Sequence, residues 1–99
     1  MRDENRRSPR VRISRKFWVR PSDSDAEHFE EFPISANVSK RGIYFYTSLR
    51  YQKGMRLFVT YPFTFANDPI KSEYIAEVVR VEELPNERFG VAIHLLDTI

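Results

Sequence analysis

The sequence predicts an all-β domain, an antiparallel barrel or sandwich, and three observations carry that prediction. Apolar and polar residues alternate in several short segments, these segments recur at 8–15-residue spacing with polar turns between them, and no helical period lasts beyond a turn or two. Fourteen aromatic residues against three glycines point the same way, because aromatic side chains fit a pleated surface. At 99 residues, 41% hydrophobic and 30% charged, the chain is expected to form one domain over residues 1–99.

Taken in order, residues 1–10 lack periodicity and are expected to form a flexible basic arm ahead of a barrel over 11–97. Val11, Ile13, Phe17 and Val19 alternate, with an interruption at Arg15, and predict a first strand ended by Pro21-Ser22-Asp23. The acidic "SDSDAEHFEE" reads as a solvated turn, with room for a helical turn at Ala26–Glu31, leading into a second strand near Phe29–Val38. Ser39-Lys40-Arg41-Gly42 is a tight turn, and Ile43-Tyr44-Phe45-Tyr46 a short third strand. Gly54 marks the next turn, after which Met55, Leu57, Val59 and Tyr61 form one face of a fourth strand. "PFTFANDP" is a loop closed by Pro69. Ile75, Val79 and Val81 are assigned to one face of a fifth strand, with Glu77 the exception, so Arg80 is expected to point outward. "LPNER" turns the chain, and Phe89, Val91, Ile93 and Leu95 give the sixth strand the clearest period of two.

Composition excludes several functions. The absence of cysteine rules out disulfides and thiolate metal sites and fits a reducing, cytoplasmic setting. No apolar run approaches the roughly 20 residues that span a bilayer, and the N-terminus has no apolar segment of a signal peptide, so no membrane insertion is expected. His28 and His94 stand far apart without other metal ligands at suitable spacing, and His94 is expected to face solvent opposite Val91 and Ile93. There is no G-x-S-x-G elbow, no complete calcium loop and no glycine-rich phosphate loop. Neither catalysis nor a metal or cofactor site is therefore expected.

The net charge of +2 hides an asymmetry. Residues 1–20 carry eight Arg or Lys against Asp3 and Glu4, a net of +6, while the remainder carries eight basic against twelve acidic residues, a net of −4. Positive charge gathered at one end suits a local anion site better than a DNA or RNA track, which would need a basic face.

Two motifs stand out. Arg6-Arg7-Ser8-Pro9-Arg10 contains R-x-x-x-R just before the first strand, and Asn37-Val38-Ser39-Lys40-Arg41-Gly42 is an N-x-S-x-x-G hexapeptide at a strand junction. Separately, the first reads as a solvated basic arm and the second as an Asn/Ser-stabilised turn. Together, and followed by "GMRLFV", "AEVVRVEE" and "ERFGVAIHLL", they resemble the PilZ domain, a bacterial receptor module for cyclic di-GMP. The resemblance covers nearly the whole chain. It implies a six-stranded antiparallel split barrel, here with little or no C-terminal helix, and a binding module, not an enzyme.

The resemblance assigns ligand binding to Arg6, Arg7, Arg10, Asn37, Ser39 and Gly42; by their placement Arg41, in the turn, and Arg80, on the fifth strand, are possible additional contacts, a merely solvent-facing Arg80 being the plainer reading. The chemistry fits these residue types. A guanidinium fork matches guanine O6 and N7, stacks on purines and neutralises phosphate. Asn37 offers an acceptor for the guanine N–H groups, in place of the Asp more frequent in the family, and Ser39 both donates and accepts. Gly42 allows either a positive φ or close approach of the ligand to bare backbone. Cyclic di-GMP is then the expected ligand, and an effector protein or domain would read the change as the arm folds over the barrel. The alternatives are a PilZ-like protein-interaction module that binds no nucleotide, and a small RNA-binding barrel, against which the acidic remainder of the chain speaks.

Overall fold

The computed structural model describes residues 14–22, 29–62 and 72–98. Within them six strands form one antiparallel sheet: β1 (Trp18–Pro21), β2 (Ser35–Val38), β3 (Gly42–Thr47), β4 (Arg56–Tyr61), β5 (Ser72–Leu84) and β6 (Arg88–Thr98). The order across the sheet is β1-β4-β5-β6-β3-β2, and the described residues include no helix. The two edges are drawn toward one another. Phe17 N–H donates to the Pro33 carbonyl and Val19 N–H to the Glu31 carbonyl, each at 3.0 Å, and Glu31 N–H returns a bond to Val19. The segment entering β2 thus runs along β1 and satisfies edge groups that would otherwise face solvent, giving a barrel-like fold.

Alternation explains which residues fill the interior. Ile43 and Phe45 from β3, Leu57 and Val59 from β4, and Phe89, Val91 and Ile93 from β6 are all buried. Each such side chain contributes about 1.5–3 kcal/mol by leaving water. Phe17 packs edge-on against Phe45 with ring centroids 5.2 Å apart, and Phe45 packs edge-on against Tyr51 at 5.5 Å. Tyr51, in the loop after β3, brings a hydroxyl into this core and donates it to Glu31 Oε1 at 2.6 Å. Thr47 donates to the other carboxylate oxygen at 2.7 Å. Burial, followed by this bond and the charge of Glu31, pushes the Tyr51 phenol up from its ordinary range.

The third, fourth and sixth strands lie where alternation places them. Elsewhere the structure corrects the sequence reading. Pro21 belongs to β1, paired with Leu57 on an edge strand where its missing N–H costs no ladder bond. Regular pairing in the second strand begins only at Ser35, with Glu31 and Ile34 making isolated bridges ahead of it. Glu31, placed in a possible helical turn, is instead extended against Val19, while residues 26–28 lie outside the described set. The arm at 1–10, the start of the barrel at 11–13 and the loop core at 63–71 also lie outside it.

The largest correction concerns β5. Its inward residues are Ala76 and Val78, both fully buried, followed by Val81, whereas Val79 is 42% exposed. Val78 pairs with Ile93 and Arg80 with Ala92, leaving Val79 unpaired as a β-bulge. The bulge sits where β4 gives out, and the Gly54 turn takes over its ladder: Gly54 N–H donates to the Val78 carbonyl at 2.7 Å. Gly54 has φ +93°, which a side chain would oppose.

Candidate functional site

Three cross-strand rows cover the outward face of β2, β3, β6 and β5. Residues paired across a sheet point to the same side, so register alone defines them. Asn37, Tyr44, Ala92 and Arg80 form the middle row. Gly42, His94 and Glu77 form the row on one side, and Tyr46, Gly90 and Glu82 the row on the other. Small residues at Gly42 and Ala92 lie among larger ones, and the result is a groove of about 250 Å³. Asn37, Ser39, Arg41, Tyr44, Arg80 and His94 are among the side chains that line it.

Two bulges aim the middle row. Ser35 is buried opposite Phe45, and simple alternation would turn Asn37 inward beside it. A register shift between Ser35 and Asn37 pairs Asn37 with Tyr44 instead, and so presents its amide to the outer face. The Val79 bulge does the same for Arg80. Without it Arg80 would oppose Val91 and enter the core. Arg80 does point outward, as alternation suggested, but because Val79 is extra and not because Val79 faces in.

The far wall of the groove is tightly held. Tyr44 donates its hydroxyl to Glu82 Oε1 at 2.7 Å, and Arg80 Nε lies 3.4 Å from Glu82 Oε2. The Arg80 guanidinium stands 5.7 Å from the centre of the Tyr44 ring, and Tyr46 packs edge-on against the same ring at 5.4 Å. Burial first, then the hydrogen bond and charge of Glu82, push the Tyr44 phenol up to about 12, with Arg80 opposing the shift. Tyr44 therefore stays a neutral donor. Gly90 makes this wall possible, since a Cβ there would overlap the Tyr44 hydroxyl.

On the near side the turn folds back on itself through a 2.9 Å bond from Ser39 N–H to the Gly42 carbonyl. Leu95 N–H donates to the Arg41 carbonyl at 2.8 Å, which ties the turn to β6. Of the two roles open to Gly42, close approach is the one its geometry favours, because Gly54 is the described glycine with positive φ. A Cβ at Gly42 would lie 3.2 Å from the Ile93 carbonyl oxygen and 3.3 Å from Ser39 Oγ.

Of the residues singled out in the sequence, Asn37, Ser39, Arg41, Gly42 and Arg80 share this groove. Arg6, Arg7 and Arg10 lie outside the described residues. Sequence reasoning missed His94 and Tyr44. His94 was legible as outward-facing, but only the register shows that its face, which Tyr44 shares, is the one carrying Asn37 and Arg80. Among the described residues no three His, Asp or Glu side chains gather as a metal site would require. A separate cluster on the outside of β1 is internally engaged. Arg20 stacks 3.7 Å from the Trp18 ring and donates to Thr60 Oγ1, and burial holds its guanidinium below the ordinary value against the pull of Glu73 and Glu30.

An all-β sheet carrying a polar, cation-rimmed groove defines a small binding module. The chain belongs to the PilZ domain family, whose sequence profile matches residues 4–99, and PilZ domains are non-catalytic binding modules. Among solved structures, that of the Bacillus subtilis inhibitor of motility (MotI/DgrA) has a similar fold, with a TM-score of 0.69 at 19% identity. The similarity covers 100% of this chain and 46% of that one, so this chain spans about half the length of that protein. Among curated proteins no sequence matches this chain significantly. No helix among the described residues is long and apolar enough to cross a membrane.

Proposed function

We propose that this PilZ domain is a cytoplasmic receptor for cyclic di-GMP, and that the groove is the fixed half of its site. One observation carries the proposal: Asn37, Ser39 and Gly42 of the hexapeptide line one groove with Arg41 and Arg80, although these positions span more than forty residues of sequence. In this reading the Asn37 side-chain oxygen accepts from guanine N1–H or N2–H, and Ser39 bonds a base edge, ribose or phosphate. Gly42 lets the ligand lie against backbone, while Arg41 and Arg80 offset the two phosphate charges. Arg6 and Arg10 clamp guanine and phosphate with their guanidinium forks, and Arg7 assists. The phosphates relieve the mutual repulsion of these arginines, which orders the arm over the sheet. An effector protein or domain then reads the altered surface.

Calorimetric titration with cyclic di-GMP tests this. Arg6→Ala, Arg10→Ala and Asn37→Ala should each weaken binding by about fivefold or more, one bidentate guanine contact being worth about 1–3 kcal/mol. Circular dichroism should show the fold unchanged. Unaltered affinity in both arginine variants would sink the assignment. Ligand at 100 times its Kd should add about 2.7 kcal/mol of stability. No shift would favour the protein-interaction module instead.

A further inference from the structure

His94 is the histidine of the groove, and the ligand contacts proposed above leave it without a role. Its cross-strand neighbour on β3 is Gly42, which has no side chain to cover the imidazole, and its neighbour on β5 is Glu77. The bond from Leu95 N–H to the Arg41 carbonyl holds the cationic turn against the same stretch of β6. His94 is half-buried, so it is neither sealed in the core nor free of its surroundings.

We infer that His94 contacts the bound nucleotide and makes its affinity depend on pH, its imidazolium pairing with a ligand phosphate. This rests on the reading of the groove as a cyclic di-GMP site. Histidine is the side chain that ordinarily changes charge between pH 5 and 8. The groups facing His94 are Tyr44 from β3, Arg41 from the turn, and Glu77 and Arg80 from β5, with Glu82 beyond. As classes, carboxylates, ammonium groups and guanidiniums hold their charge across pH 5.5–8. Tyr44 stays neutral there. Phosphodiester and guanine also keep their charge, which leaves the imidazole as the group that changes. Binding of a dianion favours its protonated form, so affinity is greatest at low pH and declines as pH rises.

The test is calorimetry with cyclic di-GMP at constant ionic strength, from pH 5.5 to 8.0, in buffers of differing ionisation enthalpy. The intact chain should lose about fivefold in affinity over this range, the effect of one charge about 4 Å from a phosphate in a solvated groove. It should also take up a fraction of a proton on binding within this range. His94→Gln should bind with a flat pH profile and no proton uptake, and His94→Lys should bind tightly throughout. Glu77→Gln should move the midpoint of the profile to lower pH, a change that a merely structural role for His94 would not produce. A flat profile in the intact chain, or an unchanged slope in His94→Gln, would overturn the inference while leaving the receptor assignment standing. Absence of binding at every pH would overturn both.

Discussion

Replacing Gly90 by alanine should invert the sign usual for that change. Glycine within a strand costs roughly 0.5–1 kcal/mol relative to alanine, so the substitution ordinarily stabilises. Gly90 pairs with Tyr46 and Glu82 in β6, and no left-handed φ there opposes a side chain. Space is what opposes it. The new Cβ would overlap the Tyr44 hydroxyl and lie 2.7 Å from Cζ of the same ring and 3.3 Å from Glu82 Oε1. The ring must swing away and surrender its bond to Glu82, and overpacking of this kind costs about 1–3 kcal/mol. Set against the alanine gain, Gly90→Ala should destabilise by up to about 2.5 kcal/mol, lowering Tm by up to about 10–20 °C in a domain of this size. In a Tyr44→Ala background the obstacle is gone, and the same change should stabilise by about 0.5–1 kcal/mol. Urea or thermal unfolding of the four proteins closes the cycle. If Gly90→Ala stabilises the intact chain, or costs the same in both backgrounds, then Tyr44 is not seated over Gly90 and the groove wall is wrongly understood.

Two further outcomes follow from the same geometry. Stability should fall as pH rises from about 10 toward 12, because unfolded phenols ionise near 10 while Tyr51 and Tyr44 keep their protons in the folded chain. Tyr51→Phe should flatten that decline in urea unfolding between pH 7 and 11. At pH 7 it should cost about 1–3 kcal/mol, since Glu31 Oε1 then lacks its donor; an unchanged alkaline slope would count against the buried hydrogen bond. Glu82→Gln keeps an acceptor for Tyr44 but removes the anion beside Arg80, and should tighten cyclic di-GMP binding about threefold, as one charge at about 6 Å in water implies. Weaker binding in calorimetry would show that Glu82 assists the ligand.

Strands with an uninterrupted core face were legible from residue type alone. Ile43 and Phe45, Leu57 and Val59, and the run from Phe89 to Ile93 each keep one phase, and alternation gave their direction correctly. β5 was not legible in the same way. Val78 and Val79 are adjacent and equally apolar, and which of them faces the core depends on where β4 ends and what Ala92 pairs with. The bulge before Asn37 is equally invisible, because it is a relation between β2 and β3 and not a property of either. His94 shows a different shortfall. Its outward direction was readable, but an outward face counts as solvent or as a site only once its neighbours are known. The hexapeptide residues were placed together by resemblance, and the two register shifts are what turn Asn37 and Arg80 onto a common face.

The middle row draws one residue from each of four strands: Asn37, Tyr44, Ala92 and Arg80. No single hairpin holds more than two of them. A slip of β5 along β6 by two residues, which keeps every core side chain facing inward, would carry Arg80 away from Asn37 and break up the groove. A ligand seated there would thus act as a proofreader of assembly, holding only those molecules in which all four strands have found their proper partners.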